Sequence, residues 1–127
     1  MLAPELKKVK TKGFSKVLKD LKIIKDEKEL KLLKEGIKKT DEVYKYALDL
    51  LKNKEVFNLT ELNLRGFLVS KIFELGGEGE SFPAIVASGK NSAIPHWQSS
   101  NSKIQINAPL LIDMGIIWKG YCTDFTR

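Results

Sequence analysis

Asp113 and Asp124 stand in the C-terminal stretch Asp113-Met-Gly-Ile-Ile-Trp-Lys-Gly-Tyr-Cys-Thr-Asp-Phe-Thr-Arg127. Apolar runs flank Trp118-Lys119-Gly120, so the segment predicts a β-hairpin with one aspartate on each arm. With the turn centred between Trp118 and Lys119, the two aspartates face each other directly, their Cβ atoms about 4.5–5.5 Å apart. A one-residue slip, such as a bulge at Gly120 would cause, undoes that pairing. Two carboxylates so close, beside Ile112, Ile116, Ile117 and Trp118, need help: one takes up a proton or a cation sits between them. The cation is the preferred reading. Two ions about 3.5–4 Å apart suit carboxylates on neighbouring strands.

His96 is the single histidine, in a polar loop, where a histidine is ordinarily a surface residue. Trp97 reads as a partly buried loop aromatic, with a place in a pocket wall as the sharper alternative. Strand alternation sets Cys122 on the side of Asp124 and Thr126. A packed thiol is preferred there over a metal-bound thiolate. Tyr121 and Arg127 read as supports of the site.

The pattern Asp113-x-Gly-x4-Gly120-Tyr121-x2-Asp124-x-Thr126-Arg127 resembles the first metal-ligand motif of the pita-bread metallopeptidases. Ile85-Val-Ala-Ser-Gly-Lys-Asn-Ser-Ala-Ile-Pro-His96 and Ile24-Lys-Asp-Glu-Lys-Glu-Leu30 resemble the Xaa-Pro branch of that family in particular. The resemblance implies an α+β fold, half of a pita bread. Two long helices would pack on a mostly antiparallel sheet, preceded by a short N-terminal helix. Residues 1–22 would be a linker or the tail of an N-terminal domain, and 23–127 the first half of the catalytic domain.

By the same resemblance Asp113 binds one metal and Asp124 bridges two. His96 serves as a catalytic and substrate-binding residue, hydrogen-bonding the substrate or the tetrahedral intermediate. Manganese leads as the divalent ion, with cobalt or zinc as alternatives. The family's five ligands are two Asp, one His and two Glu. The latter three are expected from a second half of the domain, so this chain alone should bind metal weakly and turn nothing over. The implied activity removes the N-terminal residue from peptides with proline in second position. Prolidase action on Xaa-Pro dipeptides is the close alternative, and methionine aminopeptidase is further off. Two copies are expected to associate, each covering the other's exposed sheet.

A non-enzymatic relative that binds nucleic acid or protein is the competing class. The net charge of +6 makes it worth weighing. Residues 1–54 hold 16 Lys against 9 acidic residues, whereas 55–127 hold 6 basic and 7 acidic ones, so the basic excess lies away from the hairpin. With 2 Arg in the chain and no aromatic interleaved with the lysines as a stacking platform, a nucleic-acid partner is disfavoured. The single cysteine suits a reducing cytoplasm and excludes an internal disulfide. Met1-Leu-Ala-Pro4 does not open a signal peptide, and no apolar run reaches the roughly 18–20 residues of a membrane span.

The elements that must position these residues follow from periodicity. Phe14, Val17, Leu18 and Leu21 predict an amphipathic helix over 14–24. A long helix is expected over 26–52, capped by Asp26, with Leu30, Leu33, Ile37, Tyr44, Ala47 and Leu51 as its buried face. Gly36 in its middle predicts close packing against a neighbour. A second helix over 61–75 is capped by Thr60, with Leu59 placed for a staple and Leu64, Phe67, Leu68, Ile72 and Leu75 as its stripe. Gly76-Gly77 ends it. A flexible acidic loop (76–82), a short strand (83–88), a polar loop (89–103), a strand fragment (104–106) and one long strand (110–118) complete the expectation.

Overall fold

The computed structural model describes residues 13–127. The first twelve residues of the expected 1–22 linker therefore lie outside the described residues. Three helices come first, α1 (Ser15–Ile23), α2 (Glu27–Lys52) and α3 (Glu61–Glu74). Six short strands follow: β1 (Gly79–Glu80), β2 (Ile85–Ser88), β3 (Leu110–Met114), β4 (Ile116–Trp118), β5 (Tyr121–Cys122) and β6 (Phe125–Thr126). They form two three-stranded sheets, ordered β1-β4-β5 and β2-β3-β6, with every pairing antiparallel. The architecture is the expected α+β.

Helix starts are fixed locally. Asp26 accepts from the Glu29 amide while the Glu29 carboxylate accepts from the Asp26 amide, a reciprocal cap. Thr60 and Asn63 do the same for α3. At the end of α3, Gly76 takes φ +84°, and the Gly77 amide reaches back to the Ile72 carbonyl, closing the helix as the glycine pair predicts.

Packing follows the expected faces in part: Ala47 is buried and Tyr44, Leu51 and Leu75 pack against the core as expected, but other positions differ. On α2 the buried residues are Gly36, Thr40, Val43 and Ala47, whereas Leu30 and Ile37 are exposed. The helix turns its smallest residues to the sheet because the hairpin comes that close. A Cβ on Gly36 would meet Thr123 Cγ2 at 3.0 Å and Trp118 Cβ at 3.2 Å, which bears out the close packing expected there. On α3, Leu64, Leu68 and Ile72 are buried but Phe67 is exposed. α1 forms, yet Phe14, Val17, Leu18 and Leu21 are exposed, and no residue of α1 is buried. The core joins Val43, Ala47, Leu64, Leu68 and Ile72 of the helices to Val86, Ile112, Met114 and Ile116 of the sheets.

The strands differ too. The long strand 110–118 is broken at Gly115, where a Cβ would collide with the Thr123 carbonyl and Ser81 Oγ. The loop 76–82 contains β1, and 104–106 is no strand: Ile104 is buried, and its amide donates to the Leu59 carbonyl. The hairpin turn is Lys119-Gly120, with φ of 49° and 80°, the two left-handed residues of a tight primed turn. Trp118 pairs with Tyr121 instead of entering the turn. The turn's centre thus lies one residue beyond the expected one.

Candidate metal centre and its substrate-side loop

One register runs the length of the hairpin. It pairs Ile112 with Arg127, Asp113 with Thr126, Met114 with Phe125, Ile117 with Cys122 and Trp118 with Tyr121. Asp113 therefore faces Thr126, whose hydroxyl donates to Asp113 Oδ1 at 2.7 Å. Carried on by one pair, the register sets Asp124 against Gly115. The expected direct opposition of the two aspartates is thus corrected to a diagonal one. Moving a turn centre by one residue moves the partner by two, which changes the neighbour but keeps the face. Diagonal pairs on one face have Cβ atoms somewhat under about 7–8 Å apart.

Contacts with α2 settle which face that is. The Tyr121 hydroxyl donates to Glu29 Oε1 at 3.0 Å, Thr123 Oγ1 lies 2.6 Å from Thr40 Oγ1, and the Phe125 ring packs at a tilt against that of Tyr44, their centroids 5.1 Å apart. Residues 121, 123 and 125 thus turn to the helix, and the exposed 122, 124 and 126 turn away from it. Cys122 is exposed, so the expected packed thiol is corrected. Thr123 deepens the break at Gly115: its side chain, not its carbonyl, accepts from the Ile116 amide, and its carbonyl accepts from Ser81 Oγ. Arg127 lays its guanidinium 4.3 Å over the Phe125 ring.

The face away from α2 continues onto β2. Ile85 pairs with Asp113, so Ile85, Asp113 and Thr126 form a row across three strands. Ile85 also lines a hollow of about 400 Å³ with Phe82, Pro83, Trp97 and the exposed His96. The wall of that hollow includes Arg65, held by a two-pronged ion pair to Glu80 at 3.1 and 2.9 Å. Burial pushes the Glu80 carboxyl up, but donors from Arg65 and the Ala84 amide bring it below its ordinary value.

Sequence reading missed Glu61. It is the first residue of α3 and has no exposed surface. Its carboxylate accepts five hydrogen bonds from the segment around His96. A glutamate one place after a helix cap is ordinary in sequence, since an acid there suits the helix dipole. Nothing in its spacing announces that the side chain points inward.

Asp113 and Asp124 offer hard carboxylate oxygens, which suit a divalent cation. Among the described residues no third His, Cys, Asp or Glu joins them in a cluster, so they fit such an ion as part of a donor set. No helix of the described residues is long and apolar enough to cross a membrane.

Residues 31–127 match metallopeptidase family M24. The chain is 31% identical over 128 residues to an Xaa-Pro dipeptidase of Pyrococcus horikoshii, covering 95% of this chain and 34% of the relative. Among solved structures it resembles the X-Pro aminopeptidase of Thermotoga maritima, with a TM-score of 0.81 and 30% identity over 93% of this chain and 32% of that one. The recombinant prolidase of Thermococcus sibiricus gives 0.83 and 33% over 90% and 30%. The chain therefore spans about a third of the length of these relatives. Its fold is half of a pita bread.

Proposed function

The chain belongs to metallopeptidase family M24, and from that premise we propose that it supplies two metal ligands and a substrate-side histidine to a peptidase acting at Xaa-Pro bonds. One observation carries the reading. Asp113 shares a strand face with Asp124 on one side and, through Ile85, with the His96 hollow on the other. Residues 23–127 then form the first half of the catalytic domain, with 1–22 as a linker or tail. The remaining ligands come from the second half.

In this reading Asp113 and Asp124 hold two divalent ions, manganese first. When bound, such ions supply Lewis acidity toward the scissile carbonyl and make water more acidic. The chain's own residues do the rest. The Asp113 carboxylate is oriented by the Thr126 hydroxyl, and the hollow excludes water from one side of the substrate. His96 donates a hydrogen bond to the carbonyl oxygen as charge develops on it, a contribution of about 10²–10³-fold for a well-placed donor. The protein acts in the cytoplasm, as an assembly of two or more copies.

The relatives' names include both a dipeptidase and an aminopeptidase, so both substrate lengths enter the test. Full-length protein containing this chain, supplied with Mn²⁺, is assayed on an Xaa-Pro dipeptide and on a longer peptide with proline second. Cleavage of both is the aminopeptidase outcome, and cleavage of the dipeptide alone makes it a prolidase. Asp113→Asn and Asp124→Asn should each abolish metal-dependent turnover, and His96→Ala should lower kcat by about 10²–10³-fold. Unchanged rates in both aspartate variants would overturn the proposal.

A further inference from the structure

We propose that Glu61 is the positioning residue for His96, clamping the loop that carries it against the start of α3. The inference builds on the role given to His96 above but concerns how the loop is held, which can be measured separately.

The clamp works in two directions. Glu61 Oε1 accepts from the Ser88 amide at 2.8 Å and Asn91 Nδ2 at 2.9 Å. Oε2 accepts from Trp97 Nε1 at 2.9 Å, and from the Ser100 amide and hydroxyl at 3.0 and 2.9 Å. In return the loop caps the helix: the Glu61 amide donates to the Ser102 carbonyl and the Leu62 amide to the Ser100 carbonyl. Amides that α3 cannot satisfy internally are thereby paired. The donors bracket His96, with Ser88 and Asn91 before it and Trp97 and Ser100 after it. His96 itself is exposed, so its place is set by its neighbours.

A buried carboxylate without partners is costly, and five donors more than compensate here. An apolar residue or a neutral amide at this position would leave several loop donors facing nothing that accepts. The clamp is therefore specific to an ionised carboxylate. Holding a reacting group by a fully satisfied polar network, instead of by its own contacts, is how a loop residue acquires a defined place.

His96 is the only histidine, so its resonances are unambiguous. Backbone ¹⁵N relaxation on the 127-residue chain should give order parameters near about 0.85 at residues 96–100 in wild type, and below about 0.6 in Glu61→Gln. Residues of α2 and the hairpin should keep their wild-type values. The Trp97 indole N–H should lose its hydrogen-exchange protection in the variant, while the Trp118 indole N–H, which donates to Glu35, keeps it. In wild type the Trp97 signal should show the same loss on acidification, and that pH profile should vanish in Glu61→Gln. Should Glu61→Gln fail to fold, Trp97→Phe removes a single donor and should lower the order parameters at 96–100 in the same local way.

A folded variant whose 96–100 order parameters match wild type overturns the proposal. So does a loss of order spread evenly over the chain, which would mark Glu61 as a general stabiliser. A loosened loop together with an undiminished rate in His96→Ala would instead refute the role of His96 and leave the clamp standing.

Discussion

Glu61 sits between opposing pressures. Burial pushes its carboxyl up, while donors from Asn91, Ser88, Trp97 and Ser100 outweigh burial and hold it below the ordinary value. A carboxyl lowered on folding gives stability that is complete above its unfolded value of about 4.3 and is lost as pH falls through the folded value. Glu80, lowered by Arg65 and the Ala84 amide against its own burial, adds in the same direction. Thermal unfolding should thus be level from pH 7 to about 5 and fall below about 4. Glu61→Gln should be less stable at pH 7 by on the order of 3 kcal/mol, because a carboxamide turns donors toward donors. Its acid limb should be shallower than that of wild type. Parallel limbs would show that the carboxylate is not what acid titrates there.

Among the elements, the hairpin matters most, and Gly115 is its joint. A Cβ there would overlap the Thr123 carbonyl and Ser81 Oγ, so the main chain itself must shift to admit one. Gly115→Ala should cost about 3 kcal/mol, read as a Tm lower by on the order of 10 °C. It should also disturb the pairing of Asp113 with Thr126, two residues away. An Ala variant with wild-type Tm would mean that the strand break has another cause. The cap at Thr60 is a milder test of α3: Thr60→Ala should lower stability by about 1 kcal/mol in denaturant unfolding.

At the scale of the whole molecule, helices cover one side of the sheets, and the two aspartates lie on the other. Two carboxylates offset too little of the charge of two divalent ions and fill too few coordination positions. Titration calorimetry of the 127-residue chain with Mn²⁺ should show weak binding, and assays on Xaa-Pro peptides should show no turnover. Turnover by this chain alone would contradict the division of ligands between two halves. Leu18 and Leu21 of α1, with Phe14 just before it, add exposed apolar surface. Sedimentation equilibrium should accordingly show self-association that strengthens with concentration, and a monomer at every concentration would count against the proposed assembly.

What the sequence alone determined is mostly local. The caps at Asp26 and Thr60, the glycine stop at Gly76-Gly77 and the hairpin are written in short-range chemistry, because each depends on residues close in sequence, whereas Gly36 announced a close approach without naming Thr123 and Trp118 as its partners. The Asp-x10-Asp spacing with its glycines pointed to the family for the same reason. What only the tertiary structure decided is which neighbour each residue meets. Leu30 and Ile37 of α2 stay outside because the hairpin selects the helix face, through Gly36 and Thr40, that lets it approach. A single residue's shift in the turn moved Asp113 from Asp124 to Thr126. Glu61 was invisible for a third reason: its partners lie 27 to 39 residues away, and no local pattern encodes contacts that exist only once the chain has folded.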